Sequence, residues 1–288
     1  MEKIIIADSG STKTDWKIIS LQKHVDWMNV ETSGVNPYFM TSDDIVQMLT
    51  NEWSNKELLA GVEKIYFYGA GCSSPAKCDI VRDGLQPFFS NIQIYVHHDL
   101  LAAARALFAF DNGIAGILGT GSNSCLYQNH KIQQEFFSLG YFFGDYGSGA
   151  HIGKSIVSAY LQHRMPDDLA RRFDEMYQLS KEQILDRVYN QPNPNRFLAG
   201  FARFASDNFE YAFLHQIVLN CFRDYFDHEV SRYPDYMDYP LRFVGSIAHY
   251  FQETLESVAR EYHTAVDAVI KNPADDLVRF HIQLEEKQ

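Results

Sequence analysis

The stretch IIIADSGSTKTDWKII, residues 4 to 19, decides the fold of this chain. An apolar run ends at Asp8, small and hydroxyl residues lead to Lys13, and a second apolar run follows. A P-loop needs G-x-x-x-x-G-K-[ST] before a helix, but here Thr12 precedes Lys13 and strand-forming residues come next. The stretch therefore predicts a β-hairpin with Asp8 at the end of its first strand. Backbone N–H groups from Ser9 to Lys13 would form a turn able to face a metal-bound phosphate, although an ordinary β-turn would have a similar composition.

A second stretch repeats this pattern. AGILGTGSNSCLYQ, residues 115 to 128, again passes from an apolar strand through a small-residue turn into another strand. In LGTGSNS (118–124), the glycines would let a phosphate approach the backbone without steric obstruction. The two hairpins lie about 110 residues apart, which indicates a weak internal duplication. Two phosphate-type hairpins at the starts of two duplicated units predict a nucleotide held in the cleft between them.

The composition predicts a two-domain protein without polyanionic partners. The chain has 288 residues, and domains usually hold about 100 to 200 residues. Its 25 basic and 37 acidic residues give a net charge of -12, which disfavours binding to nucleic acid and to anionic membranes. The sequence contains neither a run of about 18 apolar residues nor a signal-peptide pattern, so we expect a cytoplasmic protein.

Neither the cysteines nor a histidine pair predicts a metal site. The four cysteines lack C-x-x-C spacing, so reduced thiols are expected rather than a disulfide or zinc framework: Cys72, Cys78, Cys125 and Cys221. His97 and His98 are neighbours in a predicted strand, and neighbouring side chains in a strand point to opposite faces. The two imidazoles are therefore interpreted as structural, because they cannot easily share one metal ion.

The order of predicted elements favours a mixed sheet flanked by helices. Strands are predicted at 64–69 and 92–98, and helices at 42–53, 75–90 and 247–262. The second of these strands runs into Asp99 and another helix, and the chain from Gly149 to about residue 230 is mainly helical. We expect one domain to comprise residues 1–110 with the C-terminal tail 272–288, and the other to comprise residues 111–271.

Six short motifs, in their order and spacing, carry a family resemblance. They are DSGSTKTDW (8–16), SGVNPY (33–38), HDLLAAARA (98–106), GTGSNS (119–124), GYFFGDYGSGAHIG (140–153) and VGSI (244–247). Through them nearly the whole chain resembles the actin-like ATPase superfamily, which includes actin, hexokinases and the heat-shock chaperone ATPases, and within it the N-acetylglucosamine kinase family. The resemblance implies an α/β fold of two ribonuclease-H-like domains with a nucleotide cleft between them. It also implies ATP-dependent phosphorylation of an amino sugar such as N-acetylglucosamine, with ATP and Mg²⁺ as cofactors and the sugar as a small-molecule partner.

The resemblance assigns nucleotide-binding roles to three turns. Asp8 would orient Mg²⁺ through water, while the amides and hydroxyls that follow approach the phosphates: Ser9, Gly10, Ser11, Thr12, Lys13 and Thr14. The second phosphate turn would consist of Gly119, Thr120, Gly121 and Ser122. Gly245 and Ser246 would lie under the adenosine, although a cap between a strand and a helix would have the same residues.

The resemblance also assigns the catalytic base and the sugar ligands. Asp99 would accept the proton of the sugar hydroxyl that attacks the γ-phosphate, although an aspartate between a strand and a helix is also an ordinary N-cap. Asn36 would bind sugar hydroxyls, and its alternative is an Asn-Pro turn. Asp99, Thr120, Gly144 and Asp145 would complete the sugar contacts, because paired hydrogen bonds from Asn and Asp discriminate among hexose hydroxyls.

Four positions depart from the family pattern. Ser9 and Ser11 stand in a hairpin that commonly carries more glycines, and Tyr146 stands where glutamate is common. Ser246 replaces the second glycine of a usual Gly-Gly pair. These departures bear most on the identity of the sugar, which the sequence leaves open.

Two other functions of the same fold stay open at this point. One is the activator ATPase of 2-hydroxyacyl-CoA dehydratases and benzoyl-CoA reductases, whose dimer carries an iron–sulfur cluster on paired cysteines, a poor match to Cys125 and Cys221. The other is a non-catalytic regulator that binds a sugar or a nucleotide. A homodimer is compatible with each of these functions.

Overall fold

The computed structural model describes residues 2–10, 13–21 and 27–287. In chain order, the strands are β1 Lys3–Ser9, β2 Lys13–Ser20, β3 Trp27–Ser33, β4 Val62–Gly69, β5 Gln93–His98, β6 Gly113–Leu118, β7 Ser122–Gln128, β8 Lys131–Glu135, β9 Leu241–Val244 and β10 Val266–Ile270. The α-helices are α1 Ser42–Glu52, α2 Pro75–Leu85, α3 Asp99–Phe108, α4 Gly140–Phe143, α5 Gly149–Leu161, α6 Asp167–Tyr177, α7 Lys181–Tyr189, α8 Pro194–Ala199, α9 Ala202–Asp207, α10 Ala212–His228, α11 Ser246–Tyr250, α12 Gln252–Glu261 and α13 Ala274–Glu286. Short 3-10 helices span Lys56–Leu59, Val230–Arg232 and Tyr236–Asp238.

Contacts divide the chain into two units. The first unit comprises Met1–Ala109 and Pro273–Gln288, and the second comprises Phe110–Asn272. That each unit is a separate domain with the boundaries expected from the sequence stays a prediction.

The sheet of the first unit has the strand order β3-β2-β1-β4-β5. β1 and β2 form the predicted hairpin, which pairs antiparallel from Lys3 opposite Ser20 to Ser9 opposite Thr14. β3 extends this antiparallel ribbon, whereas β4 and β5 run parallel to β1. Because the carboxyl ends of parallel strands meet at one edge of a sheet, Asp8 near the end of β1 and the start of α3 after β5 share that edge.

An aromatic cluster fills the core between this sheet and helices α1 and α2. Trp16 is fully buried, and its ring lies 5.4 Å from that of Trp53 and 5.6 Å from that of Phe89. The opposite face of the sheet packs against α3 and α13, where Tyr68 Oη and His281 Nε2 lie 2.7 Å apart. Large aromatic side chains supply much of the apolar area that stabilises such a core.

Local sequence signals set the helix ends of the first unit. Thr41 caps α1 and forms a capping box with Asp44, because its hydroxyl accepts the Asp44 N–H and the Asp44 carboxylate accepts the Thr41 N–H. α2 ends at Leu85, so the prediction of a helix up to residue 90 was wrong. Pro87 explains the early end, since proline has no N–H to continue the helical hydrogen bonds.

The second unit repeats the strand order of the first. Its sheet reads β8-β7-β6-β9-β10, which corresponds strand for strand to β3-β2-β1-β4-β5. β6 and β7 form the second predicted hairpin, from Gly113 opposite Tyr127 to Leu118 opposite Ser122. β9 and β10 run parallel to β6. The weak duplication in sequence therefore corresponds to a repeated sheet topology.

Helices form most of the rest of the second unit. Gly153 lets α5 pack closely on α8, because a Cβ added there would lie only 1.8 Å from the Leu198 carbonyl oxygen. The predicted single helix 247–262 was wrong, since α11 and α12 meet at Phe251 with non-helical φ and ψ of -115° and 29°. The ring of Phe251 is buried and packs 5.2 Å from that of Phe209. Within the described part of the chain, no helix has the length and apolar character to cross a membrane.

Candidate active site

The turn of the first hairpin is closed by its backbone and open at Gly10. The Gly10 N–H donates to the Lys13 carbonyl at 3.0 Å, and among the described residues a Cβ on Gly10 would meet no atom nearer than that oxygen, at 3.9 Å. Two of the predicted phosphate ligands, Ser11 and Thr12, lie outside the described residues. Lys13 Nζ pairs with carboxylates on β2 and β3 at 2.9 and 3.0 Å. Its charge is therefore already matched within the hairpin ribbon.

The two described hydroxyls next to the turn of this hairpin point into the protein. Ser9 Oγ and Thr14 Oγ1 lie 2.7 Å apart, and Ser9 Oγ accepts the Val35 N–H at 3.0 Å. Thr14 Oγ1 donates to the Ser33 carbonyl at 3.2 Å. Both side chains are buried, so they fasten the hairpin to the segment that leads into Asn36. A phosphate contact at Ser9 or Thr14 would therefore come from the backbone.

Two carboxylates bring negative charge to the same edge of the first sheet. Burial raises the pKa of Asp8 to about 6, the charges of Asp99 and Asp15 add to this rise, and Lys13 opposes it. Desolvation by the surrounding protein also raises the pKa of Asp99, even though part of its side chain is exposed, and His98 and nearby amides oppose this rise. Like charges in a partly desolvated setting favour the uptake of a proton or a cation.

Asp99 is the first residue of α3, and 39% of its side chain is exposed. His98 is the N-cap, since its Nδ1 accepts the Leu100 N–H at 3.3 Å, so the alternative that Asp99 is an ordinary N-cap is wrong. Asp99 Oδ1 lies 3.4 Å from the same Nδ1, and two acceptors do not bond each other while the imidazole is neutral. The Asp99 carboxylate is therefore accessible to a ligand and keeps acceptor capacity.

Asn36 lies in a turn that its own side chain holds. Its Oδ1 accepts the Tyr38 N–H at 3.0 Å, in the Asx-type turn that the Asn-Pro pair favours. Gly71, with φ of +80°, comes so close that a Cβ there would lie 2.6 Å from Asn36 Oδ1. The Asn-Pro turn, which the sequence offered as the alternative role of Asn36, is therefore present. It fixes the direction of the half-buried Asn36 carboxamide.

The turn of the second hairpin is supported by the N-terminal end of α5. The Gly119 N–H donates to the Gly121 carbonyl at 3.0 Å. Gly149 and Ala150 donate their N–H groups to the carbonyls of Gly119 and Thr120 at 2.8 and 3.0 Å. Within the part of the chain that the structure describes, a Cβ on Gly119 would meet nothing within 4 Å, so the backbone there is open to a ligand. Sequence reasoning missed this support, although the glycines of GDYGSGAHIG were its signal.

Asp145 lies directly against that turn. Its Oδ1 accepts the Ser122 N–H at 3.2 Å, and a Cβ on Gly121 would lie 3.0 Å from both carboxylate oxygens. Gly144 precedes it at the end of α4, and Asp145 itself has a left-handed φ of 51°. Burial raises the pKa of Asp145, while the Ser122 N–H and the Lys154 charge oppose the rise. The structure therefore brings Asp145 together with two predicted phosphate-turn residues.

Gly245 lies beside the same turn. Its φ is +127°, and a Cβ there would lie 2.2 Å from the Leu118 carbonyl oxygen, so only glycine fits. The Gly245 N–H donates to the Ile270 carbonyl at 3.0 Å, and the exposed Ser246 begins α11. Because Leu118 directly precedes Gly119, the predicted adenosine turn and the second phosphate turn are adjacent within the second unit.

Comparisons with known proteins identify the family. No protein-family model matches the chain, and a comparison with curated proteins gives no match. Among solved structures, the chain is similar to a protein of Porphyromonas gingivalis described as a "Putative N-acetylglucosamine Kinase". The identity is 37% and the TM-score 0.92, with 98% of this chain and 99% of the other covered. The chain belongs to the N-acetylglucosamine kinase family.

The fold of this N-acetylglucosamine kinase family member is that of actin-like ATPases and sugar kinases, with two ribonuclease-H-like units. A second protein described as a "Putative N-acetylglucosamine Kinase", from Chromobacterium violaceum, is 16% identical with a TM-score of 0.66, covering 97% of this chain and 99% of the other. A ROK family glucokinase of Streptomyces griseus, in complex with glucose and AMPPNP, is 14% identical with a TM-score of 0.55 over 99% and 100% of the two chains. At these identities the likeness shows the fold alone.

In this N-acetylglucosamine kinase family member, Tyr146 is the residue at which the resemblance led us to expect glutamate. Its ring stacks on that of His228 at 4.1 Å and meets the edge of His151 at 5.8 Å. His151 Nδ1 accepts the Gly147 N–H at 3.1 Å. Ring packing and one backbone hydrogen bond therefore hold the loop that follows Asp145.

The donor set of the first unit suits Mg²⁺. This ion prefers hard oxygen ligands and keeps several waters, so one or two carboxylates together with phosphates are enough to bind it. Asp8 offers such a carboxylate next to the charge of Asp99, which a cation would offset. Among the described residues, no group of three or more His, Cys, Asp and Glu side chains forms a metal cage.

His97, one of the two neighbouring histidines, packs against an aromatic ring. Its ring lies 5.4 Å from the Tyr68 ring, and burial lowers its pKa to about 4.

Proposed function

We propose that this chain is an ATP-dependent kinase that phosphorylates an amino sugar such as N-acetylglucosamine. The observation that carries the proposal is the accessible carboxylate of Asp99, which lies at the start of α3 near a second carboxylate, Asp8. Family membership supports a sugar kinase, and the 37% identity to the Porphyromonas gingivalis protein supports N-acetylglucosamine as the acceptor.

Asp99 is the general base in this proposal. It would accept the proton of the sugar hydroxyl as that oxygen attacks the γ-phosphate. Burial raises its pKa and so brings its proton affinity closer to the working pH, which favours proton transfer. A positioned base of this kind contributes about 10²- to 10⁴-fold to the rate.

Sugar binding in this proposal uses Asn36 and Asp99 in the first unit and Thr120, Gly144 and Asp145 in the second. Two of these groups, Asn36 and Asp145, are fixed before the sugar arrives. The Tyr38 N–H fixes Asn36, and the Ser122 N–H fixes Asp145. Groups that are held in place lose little entropy on binding, and they reject a sugar that would leave them unpaired.

ATP binding in this proposal relies on backbone groups more than on side-chain charge. The open backbone at Gly10 and Gly119 would face the phosphates, and Gly245 and Ser246 would face the adenosine. Lys13 would take part through its amide, since its Nζ is paired with two carboxylates. Mg²⁺, when bound, neutralises phosphate charge, and Asp8 is the residue that would hold it through water.

The test is ADP release by the purified chain with ATP, Mg²⁺ and a panel of hexoses and N-acetylhexosamines. N-acetylglucosamine should stimulate ADP release most strongly, and Asp99→Asn should abolish this stimulation while ATP still binds. Asp99→Asn is the matched variant because asparagine keeps the size of the side chain and removes the base.

The other two functions of this fold give different results in the same assay. A regulator would bind a sugar or ATP without any sugar-dependent turnover. An activator ATPase would carry a coloured iron–sulfur cluster, for which Cys125 and Cys221 are poorly placed because both are buried within the second unit. Either result would overturn the kinase proposal.

A further inference from the structure

Cys72 and Cys78 lie side by side in the first unit. Cys72 follows β4, and Cys78 lies in the first turn and a half of α2. The Cys78 thiol donates a hydrogen bond to the Cys72 carbonyl oxygen at 3.5 Å, and each thiol lies close enough to shift the pKa of the other. Both thiols are free in this structure. They therefore form a dithiol pair, which their spacing in sequence did not reveal.

The two thiols differ in accessibility and in proton affinity. Cys72 is buried, at 3% exposure, whereas Cys78 is only half-buried. The interaction with the Cys72 thiol, with help from the Arg82 charge, lowers the pKa of Cys78, and the same interaction raises the pKa of Cys72. Because the thiolate is the reactive form, Cys78 is the thiol that an oxidant would meet first, with Cys72 as its resolving partner.

The segment between the two cysteines holds the Asn36 turn. Lys77 Nζ donates to the Pro37 carbonyl at 2.8 Å and lies 4.2 Å above the centre of the Tyr38 ring. Ser73 Oγ and Tyr38 Oη lie 3.2 Å apart. A movement of residues 72–78 would therefore be passed on to the turn that carries the proposed sugar ligand Asn36.

We propose that Cys72 and Cys78 are a modification site, at which a peroxide forms a disulfide that displaces the Asn36 turn and weakens sugar binding. The effect on sugar rests on the proposed function, whereas disulfide formation and movement of the turn do not. A disulfide places its sulfurs about 2.05 Å apart, much closer than two unbonded thiols can approach, so the segment between them has to shift.

The reaction balances with hydrogen peroxide as the oxidant. The Cys78 thiolate attacks one peroxide oxygen, the O–O bond breaks, and the released hydroxide takes up the proton that Cys78 had lost. The Cys72 sulfur then attacks the sulfur of the Cys78 sulfenic acid, the S–O bond breaks, and the Cys72 proton leaves with hydroxide as a second water. Two thiols lose two electrons, which the peroxide gains.

The first experiment detects the disulfide without any assay of activity. The purified full chain is treated with hydrogen peroxide, remaining thiols are alkylated, and peptides are identified by mass spectrometry. We expect a peptide linked through Cys72 and Cys78, which dithiothreitol releases. Cys72→Ser and Cys78→Ser should each prevent the link, whereas Cys221→Ser, in the second unit, should leave it unchanged. A Cys78 sulfinic acid without a link, or two alkylated thiols, would overturn the proposal.

The second experiment measures whether the disulfide moves the Asn36 turn. The N–H groups of Phe39 and Met40 donate to the Asn36 carbonyl, so hydrogen exchange at these amides reports on the turn. The oxidised chain should exchange them faster than the reduced chain, and unchanged exchange would refute the coupling. With an active kinase, the sugar KM should rise about fivefold, as for the loss of one hydrogen bond. If no sugar is phosphorylated, the proposed function fails while hydrogen exchange still decides the coupling.

Discussion

The two units share a strand order, but they hold their hairpin turns in different ways. In the first unit, the buried hydroxyls of Ser9 and Thr14 anchor the hairpin to the segment before Asn36. In the second unit, the N-terminal amides of α5 and the Asp145 carboxylate support the turn from outside the hairpin. The first unit thus presents an acidic sheet edge and the second a glycine-lined backbone. A repeated topology can therefore carry two different chemistries, because the residues that surround each turn differ.

The largest expected effect is a difference in kinetics between variants of Asp99, in the first unit, and Asp145, in the second. If the first unit supplies the base and the second orients the sugar, Asp99→Asn should lower kcat about 10²- to 10⁴-fold. Asp145→Asn should mainly raise the sugar KM, about tenfold, because asparagine keeps the acceptor for Ser122 but loses the charge. Steady-state kinetics of both variants measure the difference. Equal losses in kcat for Asp99→Asn and Asp145→Asn would contradict the different roles assigned to the two units.

A smaller effect tests how much the second turn depends on the helices behind it. Gly153→Ala places a Cβ 1.8 Å from the Leu198 carbonyl oxygen, so α5 and α8 must separate, at a cost of about 1 to 3 kcal/mol in the free energy of unfolding. Gly119→Ala is the matched control, since its Cβ meets nothing within 4 Å and stability should stay unchanged. Chemical denaturation monitors both variants. If Gly153→Ala were as stable as the parent, the close packing of α5 on α8 would not contribute to stability.

The acidic edge of the first unit should make stability depend on pH. Because the folded pKa of Asp8 is raised from 3.8 to about 6, the native state binds its proton more tightly than the unfolded chain. Stability should therefore fall as pH rises from about 4 to about 6 and stay lower above that range. Asp8→Asn should remove this loss and be up to about 3 kcal/mol more stable than the parent above pH 6. Melting temperatures in EDTA measure it, and parallel pH profiles of the two proteins would contradict it.

The smallest expected effect concerns the loop after Asp145 in the second unit. Tyr146→Glu restores the residue common in the family but loses the ring stacked on His228, at a cost of about 0.5 to 1.5 kcal/mol. Tyr146→Phe keeps the ring and should be nearly neutral. Thermal unfolding of the two variants gives the contribution of the stack. Equal stability of both variants would mean that the hydroxyl or the loop backbone, and not the ring, holds this region.

Much of the fold could be predicted from local sequence patterns. Both hairpins, the strands at 64–69 and 92–98 and the helix that begins at Asp99 have apolar periodicity and turn residues that act over a few positions. Helix ends were harder to predict. Pro87 stops α2 and the packed Phe251 separates α11 from α12, although the patterns predicted continuous helices.

In the candidate site, too, local features could be predicted from the sequence and contacts between distant segments could not. The sequence by itself determined the family, the small-residue turns of the two hairpins and the aspartates beside the strands, because these depend on residues that are close together in the chain. Only the tertiary structure decided that Ser9 and Thr14 turn inward, that His98 caps α3, that α5 supports Gly119 and that Cys72 meets Cys78 beside the Asn36 turn. Hydrogen bonds and packing between separate elements of the folded chain set these arrangements, and neither spacing nor composition specifies such contacts.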